Sequence, residues 1–414
     1  MKVVQLQYKA SASGDFSKRL HDEFLNAGIE SSILTLHSDV PQSAERRCLG
    51  RKAKFVSSID NHIQNYLTRK ADKKFGLFSY PLLGTDVSKL EQVKDADIIY
   101  LHWVLFGFLG LKDIESLAKL GKPIVFILHD MWTMTGGCHY SFDCEKYKTG
   151  CSNCPMFSGS QPFDLAASGF KRKKKLYDKY DNLYFVSPSK WLYDCAKQSA
   201  LTKDKPVFHI PNVLDQVKFK PVDKKVAKQI LNIDPEERVI AFGAVSVDSP
   251  YKGWQYLRSA LNILHERQPD EKISIVVFGG GDKEAMEKSI PFKTRFLGRI
   301  SDEYAMAVLY NAADLFIAPS LADNLPYVIF EALSCGTPVV AFNTGGIPDL
   351  VRHKYNGYLA CYKDAEDLAQ GIEYCLDNDL KAKVLPELAN DITIEKHRAL
   401  YESTKTVSLN GTKA

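Results

Sequence analysis

Short apolar runs alternate along the chain with stretches whose apolar positions recur every three or four residues. The runs predict buried strands and the periodic stretches predict amphipathic helices, so their alternation predicts an α/β protein with parallel sheets. In the first half strands are expected near 2–8, 31–36, 97–102, 123–128, 182–186 and 207–210. Helices are expected there near 15–27, 111–120 and 188–200, with 40–90 as an irregular helical insertion. In the second half strands fall near 238–245, 272–279, 293–297, 314–318 and 338–342, with helices near 253–266, 302–312, 327–335 and 364–376. The charged stretch from Asp215 to Pro221 divides the two. This gives a first Rossmann-like domain over 1–215, a second over 216–395, and a C-terminal helix or tail over 396–414 that turns polar after Ser403. Two doubly wound domains imply a cleft faced by the carboxyl ends of their strands.

The length of 414 residues, 45% apolar and 25% charged, suits two soluble domains. There is no uncharged apolar run of about 18 residues, and the first eight residues read as a strand rather than a secretion signal, so a cytoplasmic location is expected. The net charge of +4 hides an asymmetry: residues 1–215 carry 30 Lys and Arg against 23 Asp and Glu, the remainder 24 against 27. A basic half suits an anionic neighbour, either a phosphate-bearing substrate or a lipid surface, and equally suits a solvated exterior. The run Lys171-Arg-Lys-Lys-Lys175 reads as a basic helix start with the same two meanings.

The stretch from Pro319 to Val340 carries the most chemistry. A strand enters a polar loop, which opens a helix bearing two acids, Asp323 and Glu331. They would lie about 12 Å apart on a helix and farther if partly extended. The helix N-terminus between them favours an anion, which suits a ligand with phosphate at one end and hydroxyls around it, such as a sugar nucleotide. Lys252, in the loop after the strand at 238–245, can reach a phosphate as a point charge. Gly345-Gly346 serves either close backbone approach to a ligand or a plain turn. The turn at Gly14 has one glycine where a dinucleotide fingerprint has three, so no nicotinamide site is expected.

In the first half His129-Asp130 ends the apolar strand 123–128, where an imidazole can bond a sugar hydroxyl or shuttle a proton; His102 also ends a strand. Cys138, Cys144, Cys151 and Cys154 fall in one short segment. Four thiolates could hold a structural zinc bracing the loop after His129, or could be reduced thiols packing a loop.

These motifs together resemble a bacterial retaining glycosyltransferase of family 4, with the GT-B fold, over nearly the whole chain. The resemblance rests on Phe242-Gly with Lys252-Gly253, on Phe296-Leu-Gly-Arg-Ile-Ser-Asp302-Glu, on Ala313-Asp-Leu-Phe-Ile-Ala-Pro-Ser320, and on the segment from Asp323 through Glu331 to Val340. Leu128-His-Asp-Met-Trp132 and the four-cysteine loop resemble the branch used in colanic acid, capsule and O-antigen assembly. The resemblance implies that Glu331 binds the nucleotide ribose and Asp323 the transferred sugar. Asn324 and Leu325 would offer backbone to diphosphate and sugar, and Lys252 would bind phosphate. His129 would lie near the reacting centre and Gly14 near the donor and acceptor phosphates. Two departures stand out: Asp323 is one methylene shorter than the family's glutamate, and Ala244 replaces a phosphate-binding arginine, for which Arg299 is a substitute if its loop folds inward.

The expected activity is transfer of a sugar from a nucleotide diphosphate donor to a surface glycan or lipid-linked acceptor, with retained configuration. No cofactor or catalytic metal is expected, because no Asp-x-Asp follows a strand. An anionic membrane surface is an expected contact and nucleic acid is not. The rival readings are an epimerase or phosphorylase of the same fold, a zinc-dependent binding protein, and a non-catalytic relative.

Overall fold

The computed structural model describes residues 1–10, 16–39, 41–157, 163–246, 249–269, 271–380 and 382–411. It divides into two units, Met1–Val213 with Asn390–Ala414, and Leu214–Ala389. In the first unit the strands are β1 (Lys2–Ala10), β2 (Glu30–Ser38), β3 (Arg46–Cys48), β4 (Ile98–Leu101), β5 (Ile124–Ile127), β6 (Leu183–Ser187) and β7 (Val207–His209). Its helices are α1 (Phe16–Asn26), α2 (Arg51–Thr68), α3 (Glu91–Asp95), α4 (Leu111–Ala118), α5 (Leu165–Lys179) and α6 (Lys190–Gln198). The second unit holds α7 (Lys224–Ile230), β8 (Arg238–Ser246), α8 (Trp254–Arg267), β9 (Ile273–Gly280), α9 (Lys283–Ser289), β10 (Lys293–Gly298) and α10 (Glu303–Ala312). It continues with β11 (Leu315–Ala318), α11 (Tyr327–Ser334), β12 (Val339–Phe342), β13 (Gly357–Ala360) and α12 (Ala365–Asp377); α13 (Asn390–Gly411) is the last described element and belongs to the first unit.

Both sheets are parallel and doubly wound. The first runs β3-β2-β1-β4-β5-β6-β7 and the second β10-β9-β8-β11-β12-β13. The winding reverses between β1 and β4 in one and between β8 and β11 in the other. The central strands are apolar throughout because helices cover both faces: Ile-Ile-Tyr-Leu in β4 and Leu-Phe-Ile-Ala in β11 are fully buried. The expected α/β class with two Rossmann-like domains is present.

Elements differ from expectation where the local pattern is weak. The region 40–90 holds an edge strand, β3, and one regular eighteen-residue helix, α2. Asp60 and Gln64 in α2 are buried and bond the backbone N–H groups of Leu82, Leu83 and Tyr80 at 2.8–3.0 Å, which ties the following irregular segment to the helix. Gly107 has a left-handed φ of 73°, and a Cβ there would lie 2.5 Å from Ser57 Cα. The basic run 171–175 is not a helix start: Asp164 caps α5 by accepting from Ala167 N–H at 2.9 Å, so these residues sit in mid-helix and Lys173 turns inward.

The last helix begins at Asn390, six residues before the expected tail, and belongs to the first unit. It runs on past Ser403, and Thr404 is buried. His397 lies edge-on to Phe24 (centroids 5.4 Å) and is 3.0 Å from the Tyr100 hydroxyl, and Arg398 donates to the Ala27 carbonyl at 2.6 Å. Burial pushes His397 down to about 3, so it packs as a neutral ring. Leu400→Ala should therefore destabilise the first unit by about 2–4 kcal/mol in urea unfolding, whereas the exposed Glu402→Ala should change it by less than about 0.5 kcal/mol. Equal effects would contradict this docking.

Candidate functional site

Three turns follow β8, β11 and β12 at the carboxyl edge of the second sheet, beside its winding reversal, where open α/β sheets bind ligands. The β8 turn ends in Lys252 and Gly253, the latter with φ 69°. A Cβ on Gly253 would stand 1.9 Å from the Pro319 carbonyl oxygen, and the Leu321 N–H donates to the Tyr251 carbonyl at 2.7 Å, so the β8 and β11 turns lie directly on each other. Gly345 in the β12 turn has φ 56°, and a Cβ there would lie 2.1 Å from the Asp323 carbonyl oxygen, which accepts from Gly346 N–H at 3.1 Å. The glycine pair thus seats Asp323 from below, a role that neither sequence alternative named.

On this base Lys252 Nζ meets Asp323 Oδ2 at 2.8 Å, with side chains 26% and 15% exposed. Burial alone would lower the Lys252 pKa; the charge and hydrogen bond of Asp323, with Tyr251, carry it above the ordinary lysine value. Asp323 Oδ1 also accepts the Asn324 N–H at 3.1 Å, so that amide bonds its own neighbour. Asn324 and Leu325 are buried, and α11 begins only after Pro326, leaving 323–326 non-helical. Glu331 is buried on α11 and accepts the Tyr310 hydroxyl at 3.1 Å; Tyr310 on α10 carries no sequence signal beyond an aromatic on a core face. Arg299 is exposed after the edge strand β10, with β9 and β8 between that strand and β11. No hydrogen bond or ion pair joins it to Lys252, Asp323 or Glu331 among the described residues.

In the first unit His129 follows β5 and His102 follows β4, and their rings approach at Nε2 and Nδ1 to 3.3 Å. Burial, opposed by Asp130, pushes His129 down to about 4. Gly14 lies outside the described residues. Asp130 accepts the Trp132 N–H at 2.8 Å and pairs with His139 Nδ1 at 2.6 Å, while His139 Nε2 lies 2.9 Å from Ser79 Oγ. Burial raises the Asp130 pKa, but His139 and the Trp132 N–H outweigh it and hold the carboxyl below its usual range.

In this structure the four cysteines are not arranged as the tetrahedral metal site that their spacing allowed. No group of three or more His, Cys, Asp or Glu side chains among the described residues is arranged to hold a metal ion. Cys138, Cys151 and Cys154 instead pack against Phe78, Tyr80, Met156 and Leu165. The Cys151 sulfur accepts the Gly136 N–H at 3.2 Å. Burial pushes the thiols up, Cys138 to about 12 and Cys151 to about 11, so they stay protonated and behave as small apolar groups. The loop is braced by the Asp130–His139–Ser79 line and by Lys173, whose ammonium donates to the Trp132 and Thr135 carbonyls and lies 3.8 Å from the Trp132 ring.

Two parallel-sheet, Rossmann-like domains are the architecture of the GT-B class. Residues 236–378 match the family model for glycosyl transferases group 1. A D-inositol 3-phosphate glycosyltransferase of Corynebacterium aurimucosum is 32% identical over 316 residues, 72% of this chain and 67% of that protein. The chain belongs to the group 1 glycosyltransferases. Two other curated relatives are matched over only 37% and 34% of their length. Among solved structures, HepE of Anabaena in complex with UDP and glucose shares the fold at TM-score 0.55 and 18% identity, covering 99% of this chain and 100% of that one. WaaG, a glycosyltransferase involved in lipopolysaccharide biosynthesis, does so at TM-score 0.56 and 14% identity over 91% and 90%.

Burial pushes Lys173 down to about 7, opposed by the nearby charge of Asp130. Between that value and the unfolded lysine value near 10.4 the unfolded chain binds more protons, so this residue makes stability rise with pH. From pH 7 to pH 9 the natural chain should gain about 2 kcal/mol in urea unfolding relative to Lys173→Met. A pH-independent difference would mean that Lys173 keeps its charge in the fold.

Proposed function

We propose that this chain transfers a sugar from a nucleotide diphosphate sugar to a surface glycan or its lipid-linked precursor, retaining anomeric configuration and using no catalytic metal. The observation that carries the reading is the Lys252–Asp323 pair, 2.8 Å apart on turns beside the winding reversal of the second sheet. As the bond from sugar to phosphate lengthens, negative charge grows on the departing diphosphate. A fixed ammonium stabilises that charge without reorganising. Asp323 holds Lys252 in place and, being short, turns toward the lysine; the diphosphate would share the ammonium. Glu331, fixed by the Tyr310 hydroxyl, would take the ribose hydroxyls. Asn324 and Leu325 would line the sugar, and His129 would bond a sugar hydroxyl. Arg299 has no support from its position. The leaving phosphate itself would take the acceptor's proton, so no protein nucleophile is assigned. The UDP and glucose bound by HepE make UDP-sugars the first donors to test.

Calorimetric titration with a panel of nucleotide sugars should find at least one that binds; none binding would sink the reading. Lys252→Ala should weaken UDP binding by about 10- to 100-fold, the worth of a charge-assisted hydrogen bond, and leave uridine within about twofold. An equal loss for both ligands would remove Lys252 from the phosphate.

A lipid-linked acceptor would place the protein at a membrane surface, and no described helix is long and apolar enough to cross one. The better surface is α2, not the run at 171–175. Phe55, Ile59 and Tyr66 are exposed along it at 68%, 38% and 65%, flanked by exposed Arg51, Lys52, Lys54, Arg69 and Lys70. Its sole acid, Asp60, is buried. Each basic residue contributes about 1 kcal/mol near an anionic leaflet. Lys52→Glu with Lys54→Glu should cut co-sedimentation with phosphatidylserine-containing vesicles tenfold or more (~1.4 kcal/mol). Unchanged binding would exclude α2 as the contact.

A further inference from the structure

We propose that Gln5 and His102 are positioning residues that fix the tautomer of His129, so that its ring meets its ligand as a neutral hydrogen-bond donor through Nδ1. The inference rests on the role proposed for His129 and deepens it. Gln5 is buried in the middle of β1, beside β4, with helix α1 packed over it. Its amide faces two backbone groups of α1 whose polarity cannot change. The His21 N–H can only donate and the Ser17 carbonyl can only accept.

One amide orientation satisfies both. The Gln5 oxygen then lies 3.3 Å from His21 N and 3.1 Å from Ser31 Oγ, and its nitrogen 3.2 Å from Ser17 O and 2.8 Å from His102 Nε2. The opposite orientation sets oxygen against oxygen at Ser17 and N–H against N–H at His21.

The polarity of every later bond follows. Ser31 donates its hydroxyl proton to the Gln5 oxygen and accepts from His21 Nδ1 at 3.0 Å. The Gln5 N–H donates to His102 Nε2, which is therefore unprotonated. A neutral His102 must then carry its proton on Nδ1, which lies 3.3 Å from His129 Nε2. His129 Nε2 accepts it and the His129 proton sits on Nδ1. Both rings are held neutral by their surroundings: burial depresses His102, with His129 and His397 adding to it, and burial depresses His129 against Asp130. Phe16 packs edge-on against both, with centroids at 5.3 and 5.4 Å, which limits ring rotation. A ring whose Nε2 is occupied and whose Nδ1 bears the proton offers a donor to an oxygen of the ligand. It is not set up to abstract the acceptor's proton.

The test is long-range proton–nitrogen NMR of the ligand-free full chain labelled with 15N-histidine, with resonances assigned by their loss in His102→Gln and His129→Gln. Both rings are expected to be protonated at Nδ1 and bare at Nε2. A His129 protonated at Nε2 overturns the inference. Gln5→Glu replaces the donor by a carboxylate that can only accept. It should therefore invert both rings, moving the proton of His102 and of His129 to Nε2, an effect that mere packing would not produce. Unchanged tautomers in a folded Gln5→Glu protein also overturn it. If that variant fails to fold, the natural chain decides alone. Because ring protonation is read without ligand, a wrong tautomer leaves the transferase reading standing, and a failure to bind any nucleotide sugar leaves the tautomer to be judged by itself.

Discussion

No side chain fits between the three turns at the carboxyl edge of the second sheet, and the site there depends on that constraint. The Pro319 carbonyl occupies the space of a Gly253 Cβ, and the Asp323 carbonyl that of a Gly345 Cβ. Both glycines also need positive φ, which an L side chain adopts only with strain. The geometry that results is rigid because backbone holds backbone. Lys252 and Asp323 inherit their 2.8 Å separation from it rather than from contact with flexible neighbours. Any residue other than glycine at 253 would push the β8 turn off the β11 turn and part the pair before altering any charged group.

That pairing sets the electrostatics. An ammonium taken partly out of water loses hydration, and without a counter-charge would tend to shed its proton. Asp323 prevents this and keeps the charge fixed where an anion would arrive. The cost is competition, since the diphosphate of the proposed donor would have to share the lysine with a carboxylate already in place. An acid one methylene shorter than glutamate is suited to turn back onto the lysine, so the departure at this position and the observed pair are two sides of one arrangement.

How much of this was legible in the sequence depends on the range of the interaction. The buried central strands were, because their apolar runs are local. Lys252, Asp323, Glu331 and His129 could be singled out because each lies at or just beyond a strand or within a helix opening. The three-residue β3 could not, since Arg-Arg-Cys has no apolar face to read. The start of α5 was misplaced because charge was read where the capping Asp164 decides. Cysteine spacing suggested zinc, but spacing along the chain does not fix where thiols point, and Phe78 and Tyr80, more than fifty residues upstream, supply the apolar wall they pack against. Gln5, Tyr310, His139 and Lys173 were missed for the same reason: each acts through a partner more than eight residues away.

The first unit holds its site residues in a different way. Where glycine contacts fix the second sheet's turns, polar side chains inside the protein fix those of the first. Lys173 spends its hydrogen bonds on carbonyls of the loop after His129, and Asp130, His139 and Ser79 form a line through the same loop. A buried network of this kind is stable only when every donor has an acceptor, because an orphaned group in a dry interior forfeits its hydration without return. That requirement makes the network directional. A backbone N–H and a backbone carbonyl in α1, fixed by the helix, orient one glutamine, and through it two imidazoles in turn. The protonation of His129 is thus set by the fold of a helix more than a hundred residues earlier, and it would stay so across physiological pH because burial keeps both rings neutral.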